Sequence, residues 1–80
     1  MSKTSKNIIH KRMAAQRKKI GLSQLELAVK LVKLGLRLDR AAIAKIETGI
    51  RLVKDYELVA LSKALKTTTT WLLFGRNHPV

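Results

Sequence analysis

The 80-residue sequence contains no cysteine, one proline and three aromatic residues, and it sets only five acids against 17 lysines and arginines. Without cysteine there is no disulfide framework, no thiolate metal site and no sulfur nucleophile. A small domain without such staples fits a reducing compartment. The acids (Glu26, Asp39, Glu47, Asp55, Glu57) and the two histidines (His10, His78) form no ligand set at helical spacing. Asp55 and Glu57 lie beside a helix start, where they complement the helix dipole. The glycines, Gly21, Gly35, Gly49 and Gly75, are dispersed rather than gathered into a phosphate-cradling loop. No catalytic residue, metal or cofactor is expected, and the chain reads as a binding module rather than an enzyme. No uninterrupted apolar run exceeds four residues, far short of a membrane span. The opening MSKTSKNIIHKR lacks the apolar stretch of a secretory signal, so a cytoplasmic protein is expected.

What the chain has is positive charge, +12 in total, with 46% apolar residues. The length allows one small domain, and the apolar content is that of a globular chain. Seven basic residues (Lys3, Lys6, Lys11, Arg12, Arg17, Lys18, Lys19) precede the first acid. Seven more (Lys30, Lys33, Arg37, Arg40, Lys45, Arg51, Lys54) run through the middle, and only Lys63, Lys66 and Arg76 follow. This is more charge than the roughly 2–8 that solubility asks of a small domain, and it points to a polyanionic partner. A membrane-surface helix would carry aromatics opposite its basic face, but Tyr56, Trp71 and Phe74 all lie in the less basic half. Sequence-specific RNA modules offer aromatic stacking platforms, which three aromatics do not supply. Duplex DNA is the better fit.

The glycines divide the chain into helical lengths, and no stretch alternates as a strand would. A first helix is expected from about Asn7 to Ile20, with Ile9, Met13 and Ile20 on its apolar stripe. Ser23 and Glu26 form a capping box for a second helix carrying Leu27, Ala28, Leu31 and Leu34 up to Gly35. Leu36-Arg37-Leu38 reads as a connector. Asp39 caps a short third helix, about 40–48, with Ile43 and Ile46 inward. A fourth helix starts near Lys54 or Asp55 and runs to Leu65, its stripe formed by Leu58, Leu61 and Leu65. Thr68 caps a last helix carrying Trp71 and Leu72 and ending at Gly75. The expectation is an all-α, five-helix domain over 7–75, with a flexible basic tail at 1–6 and a frayed tail at 76–80. Its core is expected to hold Ile9, Met13, Ile20, Leu22, Leu27, Leu31, Ile43, Ile46, Leu58, Leu61 and Leu65.

Four blocks together resemble the helix-turn-helix domain of the phage repressor and Cro family, also called xenobiotic-response-element-type regulators. They are GLSQ-x-x-LA at Gly21 to Ala28, I-x-K-I-E-x-G at Ile43 to Gly49, the leucine-patterned helix around Leu58 to Leu65, and WLL-x-G at Trp71 to Gly75. One departure is an insertion of roughly five residues between Ala28 and Ile43, within LVKLGLRLD, relative to the usual helix-turn-helix spacing. Val32 stands where the family's tight turn has Gly. The insertion lengthens the second helix, enlarges the turn, or does both.

The resemblance implies a sequence-specific, double-stranded-DNA-binding transcriptional regulator, a repressor of a bacterium or phage, acting as a homodimer and lying on the nucleoid when bound. It implies that the third helix enters the major groove, with Arg40, Ala41, Ala42 and Lys45 contacting bases and Ala44 facing away or grazing the edge. Arg40 and Lys45 suit guanine O6 and N7, and an alanine suits a thymine methyl. Gln24, Thr48, Arg51 and Lys54 are implied phosphate contacts, with Gln24 also bracing the recognition helix. Arg17 and Glu47 are an implied structural pair. Lys3, Lys6, Lys11 and Arg12 would extend the footprint. Leu25 is expected to pack on the insertion or on a partner, and Phe74 to serve a dimer contact. Two other readings remain: an antitoxin-like or other protein-interaction module, and a non-specific nucleic-acid binder.

Overall fold

In the computed structural model, which describes residues 6–76, five helices follow one another: α1 His10–Lys19, α2 Gln24–Lys33, α3 Arg40–Glu47, α4 Asp55–Ala64 and α5 Thr69–Phe74. No strand occurs among the described residues. The tails expected at 1–6 and 76–80, with Lys3 among them, lie outside the described residues except at Lys6 and Arg76. Lys6 is not part of a loose tail, since its backbone N–H donates to Gly49 O at 2.8 Å.

The helix starts follow the capping chemistry of the sequence. Ser23 Oγ accepts from Glu26 N at 3.0 Å while Glu26 Oε1 accepts from Ser23 N at 2.8 Å, which closes the capping box of α2. Asp39 Oδ1 takes Ala42 N at 2.8 Å, and Thr68 Oγ1 takes Trp71 N at 2.9 Å. α1 begins three residues later than the periodicity suggests. Asn7 instead folds its side chain inward, accepting from Ile9 N at 3.1 Å and donating to Ile46 O and Arg51 O at 3.1 and 2.9 Å.

α4 ends differently from the helices that glycine closes. Lys66 takes the left-handed conformation there (φ 57°), and Thr67 N returns to Ser62 O at 2.9 Å. This hydrogen-bond pattern is ordinarily made by glycine, and a side chain in that region costs about 1–2 kcal/mol. Lys66 is exposed. Lys66→Gly is therefore expected to stabilise the domain by about 1 kcal/mol, raising Tm by roughly 4–8 °C. Thermal unfolding followed by circular dichroism measures this directly, and an unchanged or lower Tm would contradict it.

The core lies where α2 packs on α3 and α4, α1 on α3, and α5 on α4. Met13, Leu27, Leu31, Ile43, Ile46, Leu61, Leu65 and Leu72 are fully enclosed, with Ile9 almost so. Ile20, Leu22 and Leu58, expected inside, are only half-buried and pack on the rim. Ala28, Leu38, Ala64 and Leu72 are buried beyond expectation.

The hinge between α2 and α3 takes up the inserted residues in both ways. α2 continues through Val32 to Lys33, past the point where the family's tight turn would begin, and the chain then needs residues 34–39 to reach α3. Gly35 (φ 84°) reverses the chain, and Leu36 N donates back to Leu31 O at 2.9 Å. Leu38 is driven into the core at 5% exposure, so the connector is anchored rather than loose.

Candidate nucleic-acid interface

α3 is amphipathic over two turns. Ile43 and Ile46 fill the core, and the i, i+3, i+4, i+7 positions Ala41, Ala44, Lys45 and Thr48 fall on one outer stripe. Arg40, Ala41 and Lys45 are exposed. Ala42 is half-buried and packs on the core, because it stands one turn before Ile46. Ala44, expected to face away or graze the edge, is half-buried and falls on the outer stripe. The outer surface of α3 is therefore small methyl groups flanked by Arg40 and Lys45, a profile narrow enough to approach base edges.

The inner edge of α3 is fixed by a bracket from α1 and α2. Arg17 Nε donates to Glu47 Oε2 at 2.7 Å and Arg17 Nη2 to Glu47 Oε1 at 3.0 Å, a bidentate pair. The two side chains are 10% and 7% exposed. Arg17 Nη1 also donates to Leu22 O at 2.7 Å, and Gln24 Nε2 donates to Glu47 Oε1 at 3.1 Å. Glu47 ends α3, where the helix dipole disfavours an acid, and Arg17 supplies the opposing charge at that end. The hydrogen bonds that Arg17 donates to Glu47 hold the guanidinium pKa above its ordinary value against the opposing effect of burial. Gln24 thus braces the helix with one of its two amide hydrogens.

The four implied phosphate contacts are not equally placed for that role. Lys54 is exposed, its ammonium 5.9 Å from the Tyr56 ring centroid. Gln24 retains one amide hydrogen. Thr48 Oγ1 donates to the carbonyls of Ala44 and Lys45 at 3.1 and 3.2 Å; its one proton is turned into its own helix, leaving only an acceptor toward an anion. Arg51 is committed inward as well. Its Nη1 and Nη2 donate to Glu57 Oε1 and Oε2 at 2.9 and 3.0 Å, and Nη1 also reaches Leu52 O at 2.9 Å. The charge of Arg51 is balanced by a carboxylate whose side chain is only 4% exposed.

The Arg51–Glu57 pair closes the loop between α3 and α4. Glu57 is more than a dipole partner: Oε1 also accepts from Lys54 N at 2.9 Å. The Arg51 hydrogen bonds, with the Lys54 N–H behind them, hold the Glu57 carboxyl below its ordinary 4.5 against burial. A carboxyl depressed on folding stabilises the native state above the unfolded pKa and loses that contribution as pH falls through the folded one. Stability should therefore decline as pH drops below about 4.5. Glu57→Gln should flatten this part of the pH profile while lowering stability at neutral pH; an unaltered acid limb in urea denaturation would remove Glu57 as its source.

Arg12, expected to extend the basic footprint, is instead a clasp. Nε and Nη2 donate to Leu72 O and Leu73 O at 2.9 and 2.8 Å, closing the C-terminal end of α5. Gln16 Nε2 serves the end of α4 through Leu65 O at 2.9 Å. With Arg17 on α1 and Asn7 just before it, these side chains tie carbonyls of α3, α4, α5 and the neighbouring loops to the α1 side of the domain. Their signal in the sequence is slight, because helical spacing shows which face a polar residue occupies but not which distant carbonyl it meets. Leu25 does not pack on the hinge and stands 59% exposed.

A helix-turn-helix family model matches residues 13–72, from α1 through the bracketed α3 to α5. The chain belongs to the helix-turn-helix family of phage repressor and Cro type. It is similar to the P22 c2 repressor in a crystal structure with the synthetic operator 9T, at 28% identity and a TM-score of 0.74, over 88% of this chain and 98% of that one. No curated protein sequence matches the chain. The matched span includes both helices of the helix-turn-helix and the six-residue hinge between them.

Proposed function

We propose that this protein is a sequence-specific, double-stranded-DNA-binding transcriptional regulator, a repressor of a bacterium or phage, that acts as a homodimer with α3 in the major groove. The observation that carries the reading is the pairing of a narrow, basic outer face on α3 with a rigid bracket, Arg17–Glu47–Gln24, behind it. The similarity to a repressor solved on its operator supports it. Arg40 and Lys45 donate to guanine edges, Ala41 meets a thymine methyl, and Ala44 completes the stripe, with Ala42 at its inner margin. Lys54 and the remaining amide hydrogen of Gln24 hold phosphates. Arg51 does so only through the donors left over from Glu57, and Thr48 only after its hydroxyl leaves its own helix. Two copies related by a two-fold axis read half-sites about 10 bp apart, with Phe74, 62% exposed, at the dimer contact.

The test is selection from a random duplex pool, followed by titration of the recovered site at two salt concentrations. A palindrome bound ~10³-fold or more above random DNA is expected. Arg40→Ala should relax preference at one or two base pairs, by about 1–3 kcal/mol each. A flat pool with steep salt dependence would mean that charge binds but α3 does not read, and would overturn the proposal.

A further inference from the structure

A second surface, lined by no residue of α3, lies between α2 and the hinge. It is a groove of about 320 Å³ lined by Ala28, Val29, Val32, Arg37, Leu38 and Asp39. Val29 and Val32 are 52% and 51% exposed, and Leu25 extends the same side of α2 by one further turn. Neither folding nor helix formation explains these residues. They are not buried, and valine is a poorer helix former than the lysine, glutamate or alanine usual at solvent positions.

We infer that this groove is a docking site for an acidic amphipathic segment of another protein, whose apolar side chains enter over Val29, Val32 and Leu38 while a carboxylate meets Arg37. Charge selects the occupant. Arg37 makes no ion pair among the described residues, and Lys30 and Lys33 flank the stripe on α2. The two nearby acids are both engaged by backbone N–H groups, Glu26 at Ser23 and Asp39 at Ala42. A second copy of the chain offers no acid-rich segment of this kind, its five acids being scattered among 17 lysines and arginines. A groove of this volume accommodates the anchoring side chains of a helix laid along it. This role goes beyond DNA recognition and does not depend on it.

The experiment titrates a synthetic helical peptide, leucines at i, i+3, i+4 and i+7 and glutamates elsewhere, into the full isotope-labelled protein. Salt is held near 0.15 M, where screening beyond ~8 Å suppresses diffuse attraction. Saturable chemical-shift changes confined to α2 and the hinge are expected. Val29→Gln with Val32→Gln, which leaves the charge unchanged, should weaken binding tenfold or more at an unaltered melting temperature. Arg37→Gln should weaken it several-fold and lessen its salt dependence. A matched peptide with serine in place of leucine should not bind the groove. The inference is overturned if the serine peptide binds equally, if shifts spread over the lysines of α1 and α3, or if the double variant binds as well as the wild type. It is also overturned if the groove signals move with protein concentration alone, since the occupant would then be a second copy.

Discussion

Glu47→Ala is expected to remove about 3–5 kcal/mol of folding stability, because it strands the buried Arg17 guanidinium without its counter-charge. A domain of this size holds only about 4–12 kcal/mol in total, so the variant should be largely unfolded under mild denaturant. The magnitude follows from burial: Arg17 is 10% exposed at its side chain and donates to both carboxylate oxygens. Replacing both partners is a different experiment. Arg17→Met with Glu47→Leu leaves no buried charge and should recover most of the lost stability. Its DNA preference should still suffer, since Gln24 no longer has the oxygen that braces α3. Urea denaturation of the single and double variants, with titration of the selected site, separates the two effects. A single variant that loses less than about 1 kcal/mol would place the pair among exposed, weakly coupled ions.

Leu38→Ala should cost about 2–5 kcal/mol, the range for truncating an enclosed leucine. Its position makes the consequence local as well as global. Leu38 is the one buried residue of the hinge 34–39 and immediately precedes Asp39, the cap of α3. Losing the anchor should free 34–39, release the cap and widen the range of α2–α3 orientations. Faster amide exchange across the hinge and a loss of operator preference larger than the loss of non-specific affinity are therefore expected. Leu36→Ala, at a half-buried position, should do markedly less. Equal effects from the two would show that no single residue anchors the hinge.

Family membership was legible because it resides in local patterns. The capping boxes, glycine stops and three-to-four spacing of Leu27, Leu31, Ile43, Ile46, Leu61 and Leu65 are short-range devices that act before tertiary structure exists. The Arg17–Glu47 pair was readable only through the family resemblance, and the geometry gives it bidentate form. Three residues have contacts in the folded chain that the local pattern did not reveal: Arg12 clasps the end of α5, Arg51 pairs with Glu57, and Ala42 packs at the margin of the core. Each cation met an acceptor far from it along the chain or across a loop, where no periodicity reports.

Five helices, the capped starts of α2, α3 and α5, and a strong positive field were set by the sequence alone, since these depend on neighbouring residues and on summed charge. Only the tertiary structure decided which cations remain available to an anion. Buried carbonyls and carboxylates bind donors more strongly than solvent-exposed sites do, so Arg12, Arg17 and Arg51 are engaged within the fold. Arg40, Lys45 and Lys54 remain at the surface, together with the apolar groove that the anchored hinge builds against α2.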